Sequence, residues 1–164
     1  KNFIRLAEAY ASSAILTKEF DLICFGGGDF REVEINLFRH LKISPEKIRY
    51  VSGDDGLLAE YYKNASIFIY PSMYEGFGIP PLEAMSYGCP VACSNTSSIP
   101  EVVGEAAILF DPYSVDSIRH AMEEILFDSF SRSLMIQSGY DRLQNFSWEK
   151  CARETLNIYE GLLR

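Results

Sequence analysis

The feature that most constrains the fold is a repeated alternation of short apolar runs with amphipathic stretches. The apolar runs are DLICF, KIRYV, SIFIY, PVACS and AAILF, and the stretches between them place apolar residues three and four positions apart. Short runs rich in β-branched and aromatic residues are typical of buried strands, whereas the three-four spacing is typical of helices. Strands that alternate with helices predict a parallel sheet covered on both faces. The sequence therefore predicts an α/β fold, with a Rossmann-like, doubly wound parallel sheet and further helices at its C-terminal end.

Composition places the chain among single globular domains. Its 164 residues are 48% hydrophobic and 23% charged, so we expect residues 1–164 to form a single domain, large enough to bury a core. The formal net charge of −8 and the lack of a basic stripe argue against a nucleic-acid partner, because clustered Lys and Arg hold such partners. No apolar run approaches the roughly 20 residues that span a bilayer, and the N-terminal residues are amphipathic. We therefore expect a cytoplasmic protein.

The four cysteines are interpreted as buried free thiols. Cys24, Cys89, Cys93 and Cys151 match neither the spacing of a zinc knuckle nor that of a redox pair. Cys89 and Cys93 lie at the two ends of the run CPVAC, and a strand there would hold them too far apart to form a disulfide or share a metal. We therefore expect no metal site.

A candidate binding loop lies between the third apolar run and the helical stretch that follows it. Residues 70–90 read YPSMYEGFGIPPLEAMSYGCP, with Glu75 and Glu83 eight positions apart around a Gly-Phe-Gly turn. A helix that begins near Pro80 or Pro81 leaves its first N–H groups unpaired, and it places Glu83 in its first turn. Carboxylates accept hydrogen bonds from sugar hydroxyls. The loop can therefore hold hydroxyls with its side chains and a phosphate with its backbone.

Both glycine-rich segments have another interpretation. In the alternative interpretation of residues 70–90, Glu83 only complements the helix dipole and Glu75 is a solvated loop residue. The local sequence does not decide between this interpretation and a binding site.

The segment GGGDF, between a strand and a helix, resembles a dinucleotide-binding turn, but the G-x-G-x-x-G pattern fails at Arg31. We therefore do not expect NAD or FAD binding.

The predicted sheet favours the binding interpretation. In open α/β sheets, ligands bind beyond the carboxyl ends of the strands. Three glycine-bearing loops follow strands in this sequence, at residues 26–29, 52–56 and 74–78. We expect these three loops to converge on one rim of the sheet.

At this point the sequence resembles a known family. Residues 51–126 are similar to the C-terminal, nucleotide-sugar-binding domain of the retaining GT-B glycosyltransferases of group 1, also called family 4. The resemblance rests on an E-x7-E motif, EGFGIPPLE, and on four further segments: PSMYEGFG, EAMSYGCPVACSNTSSIPEVVGEAAILFDP, FSWEKCARETLNIYEGLL and KNFIRLAEAY. The run SNTSSIPEVVGEAAILFDPYSVDSIRHAMEEIL looks most like the mannosyltransferases of polysaccharide assembly.

The resemblance implies catalytic and binding roles for three side chains. Glu75 matches the glutamate that contacts hydroxyls of the donor sugar and helps to stabilise its developing positive charge. Glu83 matches the glutamate that binds the ribose hydroxyls of the nucleotide. Lys1 matches the lysine that neutralises the diphosphate leaving group.

The resemblance also assigns two backbone segments. Four N–H groups match those that face the donor sugar and diphosphate: Gly76, Phe77, Gly78 and Ile79. Three residues at the end of the second strand and directly after it correspond to the loop that holds the nucleotide: Val51, Ser52 and Gly53. The sequence SGDDG in that loop departs from the family's usual spacing.

The implied activity is retaining transfer of a sugar from a nucleotide-sugar donor, GDP-mannose or a UDP-sugar, to a glycan or lipid-linked acceptor in polysaccharide biosynthesis. Breaking the glycosyl phosphate bond requires stabilisation of the diphosphate while the sugar becomes oxocarbenium-like. Lys1 and the helix N–H groups supply that stabilisation, and the family generally needs no metal or other cofactor. Two alternatives stay open: a nucleotide-sugar epimerase of the same architecture, and a non-catalytic nucleotide-binding domain.

The resemblance further implies that the chain is a fragment of a two-domain enzyme. Acceptor binding belongs to an N-terminal domain that we expect to be absent from this chain. Peripheral membrane association of the full-length enzyme stays open. The first strand of the sheet is expected to be missing as well. In the strand order 3-2-1-4-5-6 it would lie between the DLICF and SIFIY strands, leaving two unpaired edges. We therefore expect the chain alone to be inactive as a transferase.

Overall fold

The computed structural model describes residues 1–162, and the predicted alternation of strands and helices is present in them. The last two residues of the predicted C-terminal helix, 163 and 164, lie outside the described residues. In chain order the elements are α1 (Phe3–Ala11), α2 (Ala14–Glu19), β1 (Leu22–Phe25), α3 (Glu32–His40), β2 (Ile48–Val51), α4 (Asp55–Asn64), β3 (Phe68–Tyr70), α5 (Ile79–Ser86), β4 (Val91–Ser94), α6 (Ile99–Val103), β5 (Ile108–Phe110), α7 (Val115–Phe127), α8 (Ser129–Leu143) and α9 (Trp148–Leu162).

The five strands form two parallel sheets. In one sheet β1 pairs with β2, with Leu22 opposite Ile48. In the other, β4 lies between β3 and β5, with Tyr70 opposite Cys93. Within residues 1–162 no ladder joins β1 to β3, so the break between the sheets lies where the sequence predicts a strand to be absent.

The core confirms that the sheet is covered on both faces. On β4, Ala92 belongs to a cluster with the buried faces of α1 and α7, whereas Val91 and Cys93 belong to a second cluster with α5 and α6. Alternate residues of a strand point to opposite faces, so burial of all four β4 residues requires helices on both sides. The first cluster also contains or contacts at least one residue from each of the five strands: Leu22, Ile48, Ile69, Ala92, Ile108 and Phe110.

The first helical stretch is divided into two helices. α1 ends at Ala11 and α2 begins at Ala14. The Ser13 side chain accepts a hydrogen bond from the Leu16 N–H at 3.3 Å, which caps the second helix. A serine in that capping position favours a new helix start, and this is why the stretch divides.

The cysteines are free thiols, and their burial differs. Cys89 and Cys93 are buried and Cys24 is half-buried, and burial raises the pKa of each of these three thiols to about 12. Cys151 on α9 is exposed, which corrects the expectation that all four are buried. It lies on the only described helix of more than ten residues that has no buried residue, so the apolar environment of the other thiols does not extend to it.

The stability of the fold is expected to be sensitive to truncation of the α7 side chains that are buried in the first cluster. Ile118 is 0% exposed and lies in that cluster. We expect Ile118→Ala to lower the free energy of unfolding by about 2–5 kcal/mol, because the substitution removes buried methyl groups and leaves a cavity. Urea denaturation measures this difference. Leu156→Ala on α9 is the matched control, since Leu156 is 54% exposed and its truncation is expected to change stability by less than about 0.5 kcal/mol.

Candidate functional site

The site is built around a contact between two residues that lie far apart in the sequence. Lys1, just before α1, places its Nζ 2.8 Å from Oε1 of Glu75, in the loop after β3. Asn2 holds the chain at this point, because its side-chain amide donates to the Pro112 carbonyl at 2.6 Å. The Lys1 side chain is 72% exposed and that of Glu75 is 22% exposed. The lysine is thus the freer partner of the pair.

Two further hydroxyls surround this ion pair. Ser72 Oγ donates to Glu75 Oε1 at 2.7 Å, and Lys1 Nζ lies 3.3 Å from the Tyr70 hydroxyl. Both residues are buried, at 3% and 7% exposure for Ser72 and Tyr70. The Glu75 carboxylate is therefore held by groups that the core of the sheet fixes in place.

These contacts keep the Glu75 carboxylate ionised. Hydrogen bonds from Lys1, Ser72 and Tyr70, in that order of importance, lower the pKa of Glu75 to about 2. The hydrogen bond to Glu75 raises the pKa of Lys1 above its ordinary value, although partial burial opposes this rise. At neutral pH the site therefore presents one cation and one anion side by side.

The glycine turn ends in the start of α5, as the sequence predicts, but the helix begins one residue earlier. Gly78 takes a left-handed φ of 105° at the N-cap position, and α5 begins at Ile79. Glu83 is consequently the fifth helical residue, so the prediction that it lies in the first turn is wrong. The cause is Gly78, whose left-handed backbone lets the chain turn into the helix before the two prolines.

The N–H groups at this helix start are available to a ligand. Pro80 and Pro81 have no N–H, so the donors come from residues 76–79. In the part of the chain that the structure describes, no hydrogen bond is made by the backbone N–H groups of these four residues: Gly76, Phe77, Gly78 and Ile79. They can therefore donate to an anion.

Glu83 lies apart from the Lys1–Glu75 pair, on the exposed side of α5. The buried Tyr62 of α4 places its hydroxyl 3.4 Å from Glu83 Oε2, and the Tyr62 ring stacks on that of Tyr87 at 6.0 Å between centroids. Burial raises the pKa of Tyr62, and the nearby Glu83 charge raises it further. Tyr62 is therefore a neutral donor that orients Glu83 and leaves most of its lone pairs unused.

The predicted nucleotide loop lies at the carboxyl end of β2. Val51 accepts a hydrogen bond from the Gly26 N–H at 2.9 Å, and Ser52 and Gly53 are exposed. No hydrogen bond or ion pair within residues 1–162 joins residues 51–53 to Glu75 or Glu83. The structure thus does not bring this loop into contact with the two glutamates, and its role stays a prediction.

The glycine loop after β1 contacts the end of β2. The Gly28 N–H donates to the Tyr50 hydroxyl at 3.1 Å, and Tyr50 is a residue of β2. The start of α1 and the loops after β1 and β3 line one open cleft of about 700 Å³, to which they contribute Lys1, Arg31 and Met73.

Sequence reasoning missed the polar residues that support the two glutamates. Tyr62 and Tyr70 act through contacts with residues distant in sequence, Glu83 and Lys1, which leave no periodic signal. Ser72 contacts Glu75 three residues on, within the loop itself. Sequence reasoning also missed the hydroxyls of residues 96–98, which donate to backbone carbonyls of the Glu75 loop. The signal for this group is the run SNTSS directly after the fourth apolar run.

Residues 1–162 contain no group of three or more His, Cys, Asp or Glu side chains that could hold a metal ion. None of the helices within residues 1–162 has the length and apolar character that crossing a membrane requires.

Comparison with known proteins gives a family match. Residues 1–142 match the family model described as glycosyl transferases group 1. The O-antigen chain mannosyltransferase B of Escherichia coli is 46% identical to this chain over 113 residues, which are 69% of this chain and 29% of that protein. The chain therefore spans less than a third of the length of this relative.

Solved structures agree with the fold. Sucrose-phosphate synthase from Thermosynechococcus elongatus superposes with a TM-score of 0.84 at 28% identity, over 99% of this chain and 42% of that chain. The C-terminal domain of a glycosyl transferase group 1 family protein from Francisella tularensis superposes with a TM-score of 0.70 at 23% identity, over 88% of this chain and 76% of that chain. The fold is that of the C-terminal domains of GT-B glycosyltransferases.

The depressed pKa of Glu75 predicts how its contribution to stability depends on pH. The folded-state pKa is about 2, against an ordinary value of 4.5, so the stabilisation is fully present above about pH 4.5 and is lost as the pH falls towards 2. We expect Glu75→Gln to cost about 1 kcal/mol at pH 7, since the pair is partly exposed, and to cost progressively less below pH 4.5. Denaturation at a series of pH values measures this.

The control for this experiment is Glu149→Gln on α9, where the carboxylate is exposed. Its effect on stability is expected to stay near zero throughout. A Glu75 carboxyl that titrates near its ordinary value in a carbon-detected NMR experiment would contradict the assigned contacts.

Proposed function

The chain belongs to the glycosyl transferases of group 1, and on that premise we propose that it binds the nucleotide-sugar donor of a mannosyltransferase. The proposed donor is GDP-mannose, or alternatively a UDP-sugar, and the proposed reaction is retaining transfer to a glycan or lipid-linked acceptor in polysaccharide biosynthesis. The observation that carries the proposal is the 2.8 Å contact between Lys1 and Glu75, which joins a cation and a carboxylate beside four free N–H groups.

Lys1 is the proposed partner of the diphosphate leaving group. Negative charge grows on the leaving oxygen as the glycosyl bond breaks, and a fixed cation with nearby N–H groups stabilises that charge. The exposed lysine side chain can move from Glu75 towards the diphosphate, whereas the carboxylate remains held by Ser72 and Tyr70. The positive charge in this proposal comes from Lys1, and no metal ion is assigned to the site.

Glu75 is the proposed partner of the sugar. Its low pKa keeps it ionised, so it accepts hydrogen bonds from sugar hydroxyls and stabilises an oxocarbenium-like transition state by its charge. We assign it no covalent role. Glu83 is the proposed acceptor for the two ribose hydroxyls, and Tyr62 orients its carboxylate.

Within the transferase reaction, the role proposed for this chain is binding of the nucleotide-sugar donor. The chain covers 29% of its mannosyltransferase relative, so residues that bind the acceptor are assigned to the rest of the enzyme. We therefore propose that these 164 residues bind the donor and do not transfer sugar alone.

Donor binding is tested by calorimetry with GDP, UDP and ADP. We expect one of the three to bind, and we expect Glu83→Gln to weaken its binding about tenfold or more, because a charge-assisted hydrogen bond is worth about 1.5–3 kcal/mol. Repeating the titration with EDTA tests the proposed independence from metal ions.

Glu149→Gln is the matched control, because it removes an exposed carboxylate on α9 that the proposal does not use. Failure of all three nucleotides to bind would overturn the proposed function. Equal affinity in the Glu83→Gln variant and the unsubstituted chain would overturn the assignment of Glu83.

A further inference from the structure

The loop after β4 binds the backbone of the Glu75 loop through three successive hydroxyls. Thr96 Oγ1 donates to the Met73 carbonyl at 3.1 Å, and Ser97 Oγ donates to the Glu75 carbonyl at 2.7 Å. Ser98 Oγ lies 2.9 Å from the Glu75 carbonyl and 2.8 Å from that of Phe77. We call residues 96–98 the hydroxyl brace.

The backbone of the brace is itself unusual. Ser97 has a φ of 58°, a left-handed conformation that non-glycine residues adopt rarely and at some energetic cost. This conformation turns Ser97 Oγ towards Glu75, where it also lies 3.4 Å from the Glu75 N–H. The strained residue is thus the one that contacts both backbone polar groups of Glu75.

The brace determines which way two neighbouring N–H groups point. In a trans peptide unit, the carbonyl of one residue and the N–H of the next point in opposite directions, and no cis peptide occurs in the described residues. Because the Glu75 and Phe77 carbonyls point at the brace, the N–H groups of Gly76 and Gly78 point away from it. Both belong to the free N–H groups at the start of α5.

Glycine makes this orientation easy to lose. A Cβ on Gly76 would meet nothing within 4 Å, so no neighbouring group packs over the Gly76 Cα. Glycine also has access to most backbone conformations. The Phe77 ring packs on Phe146, and the hydrogen bonds from the brace add a direct restraint on the Glu75 and Phe77 carbonyls.

We propose that Ser97 and Ser98 are positioning residues for donor binding, which hold the 75–76 and 77–78 peptide units with their N–H groups turned towards the diphosphate and sugar. This inference rests on the proposed function for its ligand. The brace acts on the diphosphate and sugar, whereas Glu83 on α5 binds the ribose. Loss of the brace is therefore selective for the part of the donor beyond the α-phosphate.

The test compares Ser98→Ala with Ser98→Thr, which keeps the hydroxyl, and with the control Ser12→Ala. Ser12 also donates to a backbone carbonyl, that of Ala9 at 2.8 Å, but it lies at the end of α1 away from the site. The probes are GDP-mannose against GMP and UDP-glucose against UMP, titrated by calorimetry. We expect Ser98→Ala to weaken binding of the sugar nucleotide about fivefold and that of the monophosphate less than about twofold, since the one O–H donor that the Glu75 and Phe77 carbonyls share is lost.

The expected selectivity separates positioning from general destabilisation. Ser98→Thr and Ser12→Ala should keep the ratio of the two affinities found in the unsubstituted chain. An unchanged ratio in Ser98→Ala, with normal binding by the unsubstituted chain, overturns the positioning role and leaves the proposed function standing.

A second measurement needs no donor. Relaxation-dispersion NMR on the Gly76 and Gly78 amides should detect microsecond-to-millisecond exchange in Ser98→Ala and not in the unsubstituted chain. If the unsubstituted chain binds no nucleotide, the proposed function fails, and this measurement still decides whether the brace exists. Absence of exchange in Ser98→Ala overturns the brace itself.

Discussion

Parallel pairing of β3 with β4 is the constraint on which the site depends. The register sets Tyr70 opposite Cys93, so the two strands end at the same edge and the loops that follow them leave side by side. The loop after β3 carries Glu75, and the loop after β4 carries the serines that bind its carbonyls. An antiparallel partner would send its loop to the other edge. The pairing therefore brings together residues that lie about twenty positions apart.

The Lys1–Glu75 ion pair costs little desolvation free energy at this edge of the sheet, because the lysine side chain stays mostly exposed to water. Burying an ion pair completely costs several kcal/mol per ion, and Lys1 avoids this cost by remaining mostly exposed. Glu75 is less exposed, and hydroxyls from the buried Ser72 and Tyr70 replace the water that it has lost. The arrangement gives a fixed anion and a cation that is free to move. Such a division suits a reaction in which the cation must follow a departing diphosphate.

The sequence predicts the fold better than the details of the site. Periodicity places the strands of the sheets, because burial on both faces leaves a pattern that local reasoning can recognise. It misplaces the start of α5, since the left-handed Gly78 admits a helix start before the prolines. It finds Glu75 and Glu83 through their motif, but it misses Tyr62 and the brace. Those residues act through hydrogen bonds between segments distant in sequence, and no spacing rule encodes such contacts.

Because β1 and β3 are not paired, contacts other than backbone hydrogen bonds between strands hold the two sheets together. Within residues 1–162 no ladder joins β1 to β3, and residues of both sheets belong to or pack against the apolar cluster that contains the buried faces of α1 and α7. Lys1 precedes α1, and Glu75 follows β3. The position of Lys1 relative to Glu75 therefore depends on the hydrogen bond from Asn2 to Pro112 and on the contacts of α1 with α7 and of α7 with β4 and β5. A well-packed core transmits small displacements instead of absorbing them, so the spacing of the proposed catalytic pair depends on methyl groups well away from either charge.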